Sequence, residues 1–155
     1  MNPRTKKILL FALAVVLILV AVVIWIRYPR TFDQAMGIDR EAVNQVHVTL
    51  TGQGGNRELT ILPAATAYGE LMALLEEPSY IPLYLDKGNR TMTLDYEVSL
   101  SFLQGEEAYG MTFSGDKPIW FVGSGMRDRS FRTSGGEVFQ QEILDFLLEQ
   151  ADPVD

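Results

Sequence analysis

MTLDYEVSLSF, residues 92–102, alternates apolar and polar side chains without a break: Met92, Leu94, Tyr96, Val98, Leu100 and Phe102 against Thr93, Asp95, Glu97, Ser99 and Ser101. Period two is the pattern of a strand with one face in a core and the other open. As the longest such run in the chain, it predicts the central strand. Downstream, Gln104-Gly105-Glu106-Glu107 turns the chain into Ala108–Phe113, and Ser114-Gly115-Asp116-Lys117 turns it again into Pro118–Val122. Gly123-Ser124-Gly125 opens a last extended segment, Met126–Thr133. These strands follow one another through turns too short for a crossover helix, so they predict an antiparallel meander.

Upstream, Val46, Val48 and Leu50 alternate with His47, Thr49 and Thr51, and the glycine-rich turn Gly52–Asn56 leads into Arg57–Leu62. Pro63 suits the first turn of a helix whose Tyr68, Leu71, Met72 and Leu75 fall on one stripe, and Pro78 ends it. Ser79–Leu85 reads as an edge strand because Pro82 has no N–H to donate, and Asp86-Lys87-Gly88-Asn89 turns the chain back. At the other end, Ser134 and Glu137 have capping-box spacing. The helix they open is expected to bury Val138, Phe139, Ile143, Phe146 and Leu147 and to expose Gln140, Gln141, Glu142, Asp145 and Glu149. Residues 152–155 should fray. The expectation is an α+β fold: an antiparallel meander sheet with two helices packed on one face.

Ahead of this lies Ile8–Ile26, ILLFALAVVLILVAVVIWI, about 19 residues with no charge, proline or glycine. As a helix it reaches roughly 28 Å, the apolar thickness of a bilayer. Arg4, Lys6 and Lys7 precede it and Arg27 and Arg30 follow, which favours a cytoplasmic N-terminus and an outer C-terminal domain. Trp25 and Tyr28 flank the outer end at headgroup level, and Pro29 stops the helix. The rival reading, a cleaved secretory signal, calls for small residues at the cleavage site, whereas this run ends Trp25-Ile26-Arg27-Tyr28-Pro29. The expected organisation is a cytoplasmic basic tail (1–7), a transmembrane anchor (8–27), a short tether and helical turn (28–37), and an outer domain (38–151). In the tether, Thr31 and Gln34 match a capping box and Gly37 a helix stop.

All 20 acidic residues lie after position 30, against eight of the 13 basic ones, so the outer part carries a net −12. Such a charge repels nucleic acid phosphates, and no basic stripe offsets it. There is no cysteine, hence neither disulfide nor lipid-modified cysteine. His47 is the single histidine and sits on the polar face of its strand, too few ligands for a transition metal. No cofactor motif is present, and no G-x-S-x-G elbow accompanies that histidine. Ser114-Gly115-Asp116-Lys117 matches S-x-x-K, but in a hairpin turn rather than at the start of a helix. Asp95 and Glu97 share a strand face roughly 7 Å apart, a spacing usable by an acid and base pair and equally natural on a solvated face.

The one concentrated charge feature is Arg127, Arg129 and Arg132, running into Ser134-Gly135-Gly136 at the start of the last helix. Guanidinium groups beside free helix amides form a candidate anion site comprising these arginines with Gly135 and Gly136. In a strand, however, Arg127 and Arg129 share one face and Arg132 takes the other, and exposed pairing with acidic neighbours accounts for them as well.

The basic start, the apolar span, the segment Thr31–Asp39 and the order two strands, helix, meander, helix together resemble small single-span surface proteins of Gram-positive bacteria, groups of unknown function. The resemblance covers most of the chain, lies in pattern, and implies only a membrane-anchored outer domain. The expected function is a non-enzymatic interaction domain that binds another envelope protein. The alternatives are an anion, lipid-headgroup or glycan sensor using the arginines, and an envelope hydrolase centred on Asp95 and Glu97.

Overall fold

A computed structural model describes residues 3–52, 55–83, 96–114, 118–123 and 129–151. The chain begins with α1 (Pro3–Ile26), 24 residues long with no buried side chain, long and apolar enough to cross a membrane. Then come α2 (Phe32–Met36), a single 3-10 turn (Arg40–Ala42), β1 (Gln45–Gly52), β2 (Arg57–Ile61), α3 (Thr66–Glu76) and β3 (Tyr80–Leu83). β4 (Tyr96–Gln104), β5 (Glu107–Phe113), β6 (Ile119–Val122), β7 (Arg129–Thr133) and α4 (Gly136–Gln150) complete it. The fold is the expected α+β arrangement of an apolar N-terminal helix, an antiparallel sheet and helices.

The seven strands form one sheet in the order β2-β1-β4-β5-β6-β7-β3. The meander from β4 to β7 is as the turns predict, every described pairing being antiparallel. Two features depart from local reading. The long alternating strand β4 is third in the order, and β5 occupies the middle. The chain also leaves one edge at β2, crosses through α3, and places β3 at the opposite edge against β7. Met92, Leu94 and Asp95, the turn Asp86–Asn89, and residues 126–128 and 152–155 lie outside the described residues.

Alternation sends Val46, Val48 and Leu50 of β1, Val98, Leu100 and Phe102 of β4, and Met111 and Phe113 of β5 to one face, where all are buried. α2, α3 and α4 bury their apolar stripes in the same core. Tyr80, fully buried, is the hub: its ring lies 5.7–6.5 Å from those of Phe32, Phe121, Phe131 and Phe139. Such tilted and edge-on contacts add to the apolar area they remove from water. The helical turn read as a tether is core: Phe32, Ala35 and Met36 of α2 are at most 1% exposed. Its capping box forms as expected, Gln34 N–H donating to Thr31 Oγ1, and Gly37 ends it at φ 75°.

Three helix details correct the sequence reading. α3 starts at Thr66 rather than at Pro63, after a turn in which Ala65 N–H reaches the Leu62 carbonyl. Ser134 does not cap α4; its hydroxyl accepts from Ser79 N–H at 3.0 Å and so secures the approach to β3. On α4, Val138 is 67% exposed while Gln140 is buried beside Phe139, Ile143, Leu144 and Leu147. Gln140 lies at i−3 and i−7 from Ile143 and Leu147, inside the stripe, and Val138 falls beside it.

The edge expected from Pro82 is real, and it is closed in a specific way. Tyr80 N–H donates to the Arg30 carbonyl at 2.8 Å, and Arg30 N–H donates to the Tyr80 carbonyl at 2.9 Å. By strand alternation Pro82 is the next residue with main-chain groups directed outward, and it has no N–H. Only residues 27–29 separate the last residue of α1 from this paired position, so the membrane-spanning candidate joins the sheet without a flexible linker.

Candidate functional site

The helices cover one face of the sheet; among the described residues no helix or strand covers the other. Register assembles that open face from residues distant in sequence. One row runs Thr60, His47, Ser101, Gly110 and Val122, and the next runs Glu58, Thr49, Ser99, Thr112, Trp120, Ser130 and Leu83. Ser99 Oγ and Thr112 Oγ1 are 3.1 Å apart across β4 and β5, and His47 Nδ1 lies 3.4 Å from Thr60 Oγ1. Hydroxyl groups thus satisfy one another along the sheet, leaving a floor of short side chains beside one indole.

Among the described residues, charge is confined to the margins of this face. Glu58 is on the edge strand β2, Glu97 near the start of β4 opposite Thr51, and Arg132 on β7 beside Ile81. For a domain of net −12 that sparing is notable, because charge depletion with an aromatic residue marks the core of protein interfaces.

The candidate anion residues do not converge. Arg129 stands opposite Phe121 and Arg132 opposite Ile81, positions of opposite parity on β7, so the two arginines leave the sheet on opposite faces. Arg127 lies outside the described residues. Gly135 is the residue before α4 and Gly136 its first, at φ 57°. Of the paired carboxylates, Glu97 is on the open face and Asp95 is outside the described residues. Ser114 closes β5 and is buried, and its motif partner Lys117 is likewise outside. Among the described residues no group of three or more His, Asp or Glu side chains could hold a metal ion.

A second feature lies where α1 meets the domain. Trp25 and Tyr28, identified from sequence as flanks of the apolar run from Ile8 to Ile26, line an open cleft of about 250 Å³ together with Arg30 and Gln34. The two rings were legible as interfacial anchors, whereas Arg30 and Gln34 join them only because the Tyr80 pairing and the α2 cap bring the chain back toward the helix end. Arg40 ties the 3-10 turn to α2 and α3. Its guanidinium donates to both Asp33 oxygens at 2.7–3.2 Å and pairs with Glu76. Tyr68 Oη donates to the Arg40 carbonyl at 3.3 Å. Burial raises the Tyr68 pKa, opposed by the nearby Arg40 charge.

Comparison with protein-family models, with characterised proteins and with solved structures returns no match.

Proposed function

We propose that this chain is a single-pass, membrane-anchored domain of the bacterial cell envelope, with its N-terminus cytoplasmic, and that its open sheet face binds another envelope protein. The observation that carries the reading is the hydroxyl-floored sheet face whose centre, among the described residues, holds no formal charge in an otherwise strongly acidic domain. A partner laid there would strip water from groups already hydrogen-bonded to each other and from the Trp120 ring, and would desolvate no central formal charge. The arrangement Arg4, Lys6 and Lys7, apolar span, acidic domain supports the orientation.

The test is in-cell crosslinking of the full-length protein followed by purification from membranes, comparing the native chain with Ser101→Arg and Glu142→Arg. Ser101 sits mid-face between His47 and Gly110, whereas Glu142 is exposed on α4, on the helix layer. A discrete protein recovered with the native and Glu142→Arg chains but lost with Ser101→Arg supports the proposal. Equal recovery with Ser101→Arg, or recovery of the chain alone, refutes it.

A further inference from the structure

The cleft between the end of α1 and the start of the domain has a depth, a lining and a rigidity that together specify a ligand. Trp25 is the next-to-last residue of α1, and the apolar run ends at Ile26, so the cleft opens where hydrocarbon gives way to headgroups. Among the described residues two amphipathic rings, a guanidinium and a primary amide line it, and none of the described carboxylates does, although acidic residues outnumber basic ones 20 to eight beyond position 30. Arg30 is half-buried with its main chain paired to Tyr80 in both directions, and Gln34 Oε1 accepts from Thr31 N–H at 3.3 Å. The Arg30 main chain and the Gln34 amide are therefore set in place by the fold. At about 250 Å³ the space is smaller than an ordinary cofactor pocket and is of headgroup size.

We infer that this cleft seats the phosphate of an anionic glycerophospholipid from the leaflet at the outer end of α1, with Arg30 as its charged donor and Trp25 and Tyr28 bracketing the headgroup. The inference rests on α1 spanning the membrane as proposed above. A guanidinium gives a phosphate two parallel N–H donors, and Gln34 supplies an amide suited to the hydroxyls of a glycerol headgroup. Because the domain carries a net −12, its overall field repels anionic lipid. Enrichment of such a lipid beside Trp25 consequently reports the cleft and not the bulk charge.

The chain has two tryptophans, so Trp120→Phe leaves Trp25 as the sole indole. The full-length Trp120→Phe protein is reconstituted in phosphatidylcholine vesicles containing a minor share of phosphatidylglycerol, with bromine placed on the acyl chains of one lipid at a time. Brominated phosphatidylglycerol should quench Trp25 about fivefold more per molecule than brominated phosphatidylcholine, the bias conferred by one basic side chain at a bilayer surface. Arg30→Gln should bring that ratio to one, while Arg27→Gln, which alters an exposed guanidinium that does not line the cleft, should leave it high. A ratio of one in the parent, a high ratio that survives Arg30→Gln, or an equal loss with Arg27→Gln overturns the inference. A shift in Trp25 emission when inorganic phosphate is added to pure phosphatidylcholine vesicles would assign the cleft to a soluble anion and overturn the lipid assignment. Quenching by neither lipid is a different result: it refutes the membrane span itself, and the inference falls with it.

Discussion

Replacing Tyr80 with phenylalanine isolates one hydrogen bond at the centre of the core. Tyr80 Oη donates to the Leu75 carbonyl at 2.7 Å, and Tyr80 has no solvent exposure. Leu75 lies in the last turn of α3, and the N–H that would ordinarily serve its carbonyl, that of Ser79, donates to Ser134 instead. The phenol thus supplies the donor the helix end lacks. Tyr80→Phe keeps the four ring contacts and leaves a buried carbonyl unpaired, a loss of about 2 kcal/mol, or about 6–10 °C in Tm for a domain of this size. Burial also drives the Tyr80 hydroxyl far above its ordinary pKa of 10.0. Above about pH 10 the unfolded chain releases this proton and the folded chain holds it, so native stability falls by about 1.4 kcal/mol per pH unit through this group alone. The variant has no such proton to hold. Its deficit should therefore be complete at neutral pH and shrink to nearly nothing by about pH 11.5, where the two effects cancel. The upward-shifted Tyr68 and Tyr109 are common to both proteins and drop out of the difference. Urea unfolding of the two full-length chains in detergent, followed by near-UV circular dichroism across this range, measures it. A deficit that stays constant with pH, or none at neutral pH, would refute the reasoning.

Arg40→Ala should cost about 1 kcal/mol, since its ion pairs with Asp33 and Glu76 are each about one-third exposed, and most of that cost should vanish in molar salt. Urea midpoints at low and high salt decide the matter, and a salt-independent loss would point to packing instead. Ser134→Ala should leave helix content by far-UV circular dichroism unchanged while hydrogen exchange at the Ser79 amide accelerates, because that serine serves β3 and not α4. Gly135→Ala should destabilise by about 1–3 kcal/mol, as its new Cβ would lie 2.8 Å from Phe139 Cβ. Gly105→Ala should lose only about 1 kcal/mol, since its strain at φ 64° meets open space, and equal melting shifts for the two would contradict this difference.

The strands were legible because period two is local: β1, β4, β5 and β6 each announce their buried residues every second position. The destination of β3 was not, because the choice between pairing with β2 and pairing with β7 depends on how α3 spans the core, and no short window carries that. Phe32 illustrates the same gap. Its residues signal a capped turn, yet its burial depends on Phe102, Phe121 and Tyr80, all at least 48 positions away. On α4, residue type misled: Val138 is the more apolar residue, but helix phase places Gln140 in the stripe. As for the sites, Trp25 and Tyr28 could be identified from their place at the end of the apolar run. The charge-spared sheet face and the cleft arise from cross-strand register and from the Arg30–Tyr80 pairing, both properties of the folded chain.

That pairing also bears on how copies of this chain can associate. Open-ended addition of one sheet to the next needs two receptive edges on every molecule, one to offer and one to accept. At β3 the outward groups of Tyr80 are taken by Arg30 and Pro82 has no N–H to donate, so of the two edges among the described residues only β2, six strand spacings or about 29 Å away, can receive another strand. With a single receptive edge, the sole edge-to-edge assembly left is a two-fold pair of β2 strands, which consumes both edges and closes. The Arg30–Tyr80 pairing thus has a second effect: among the described strands it removes the second receptive edge that open-ended polymerisation through the sheet would need.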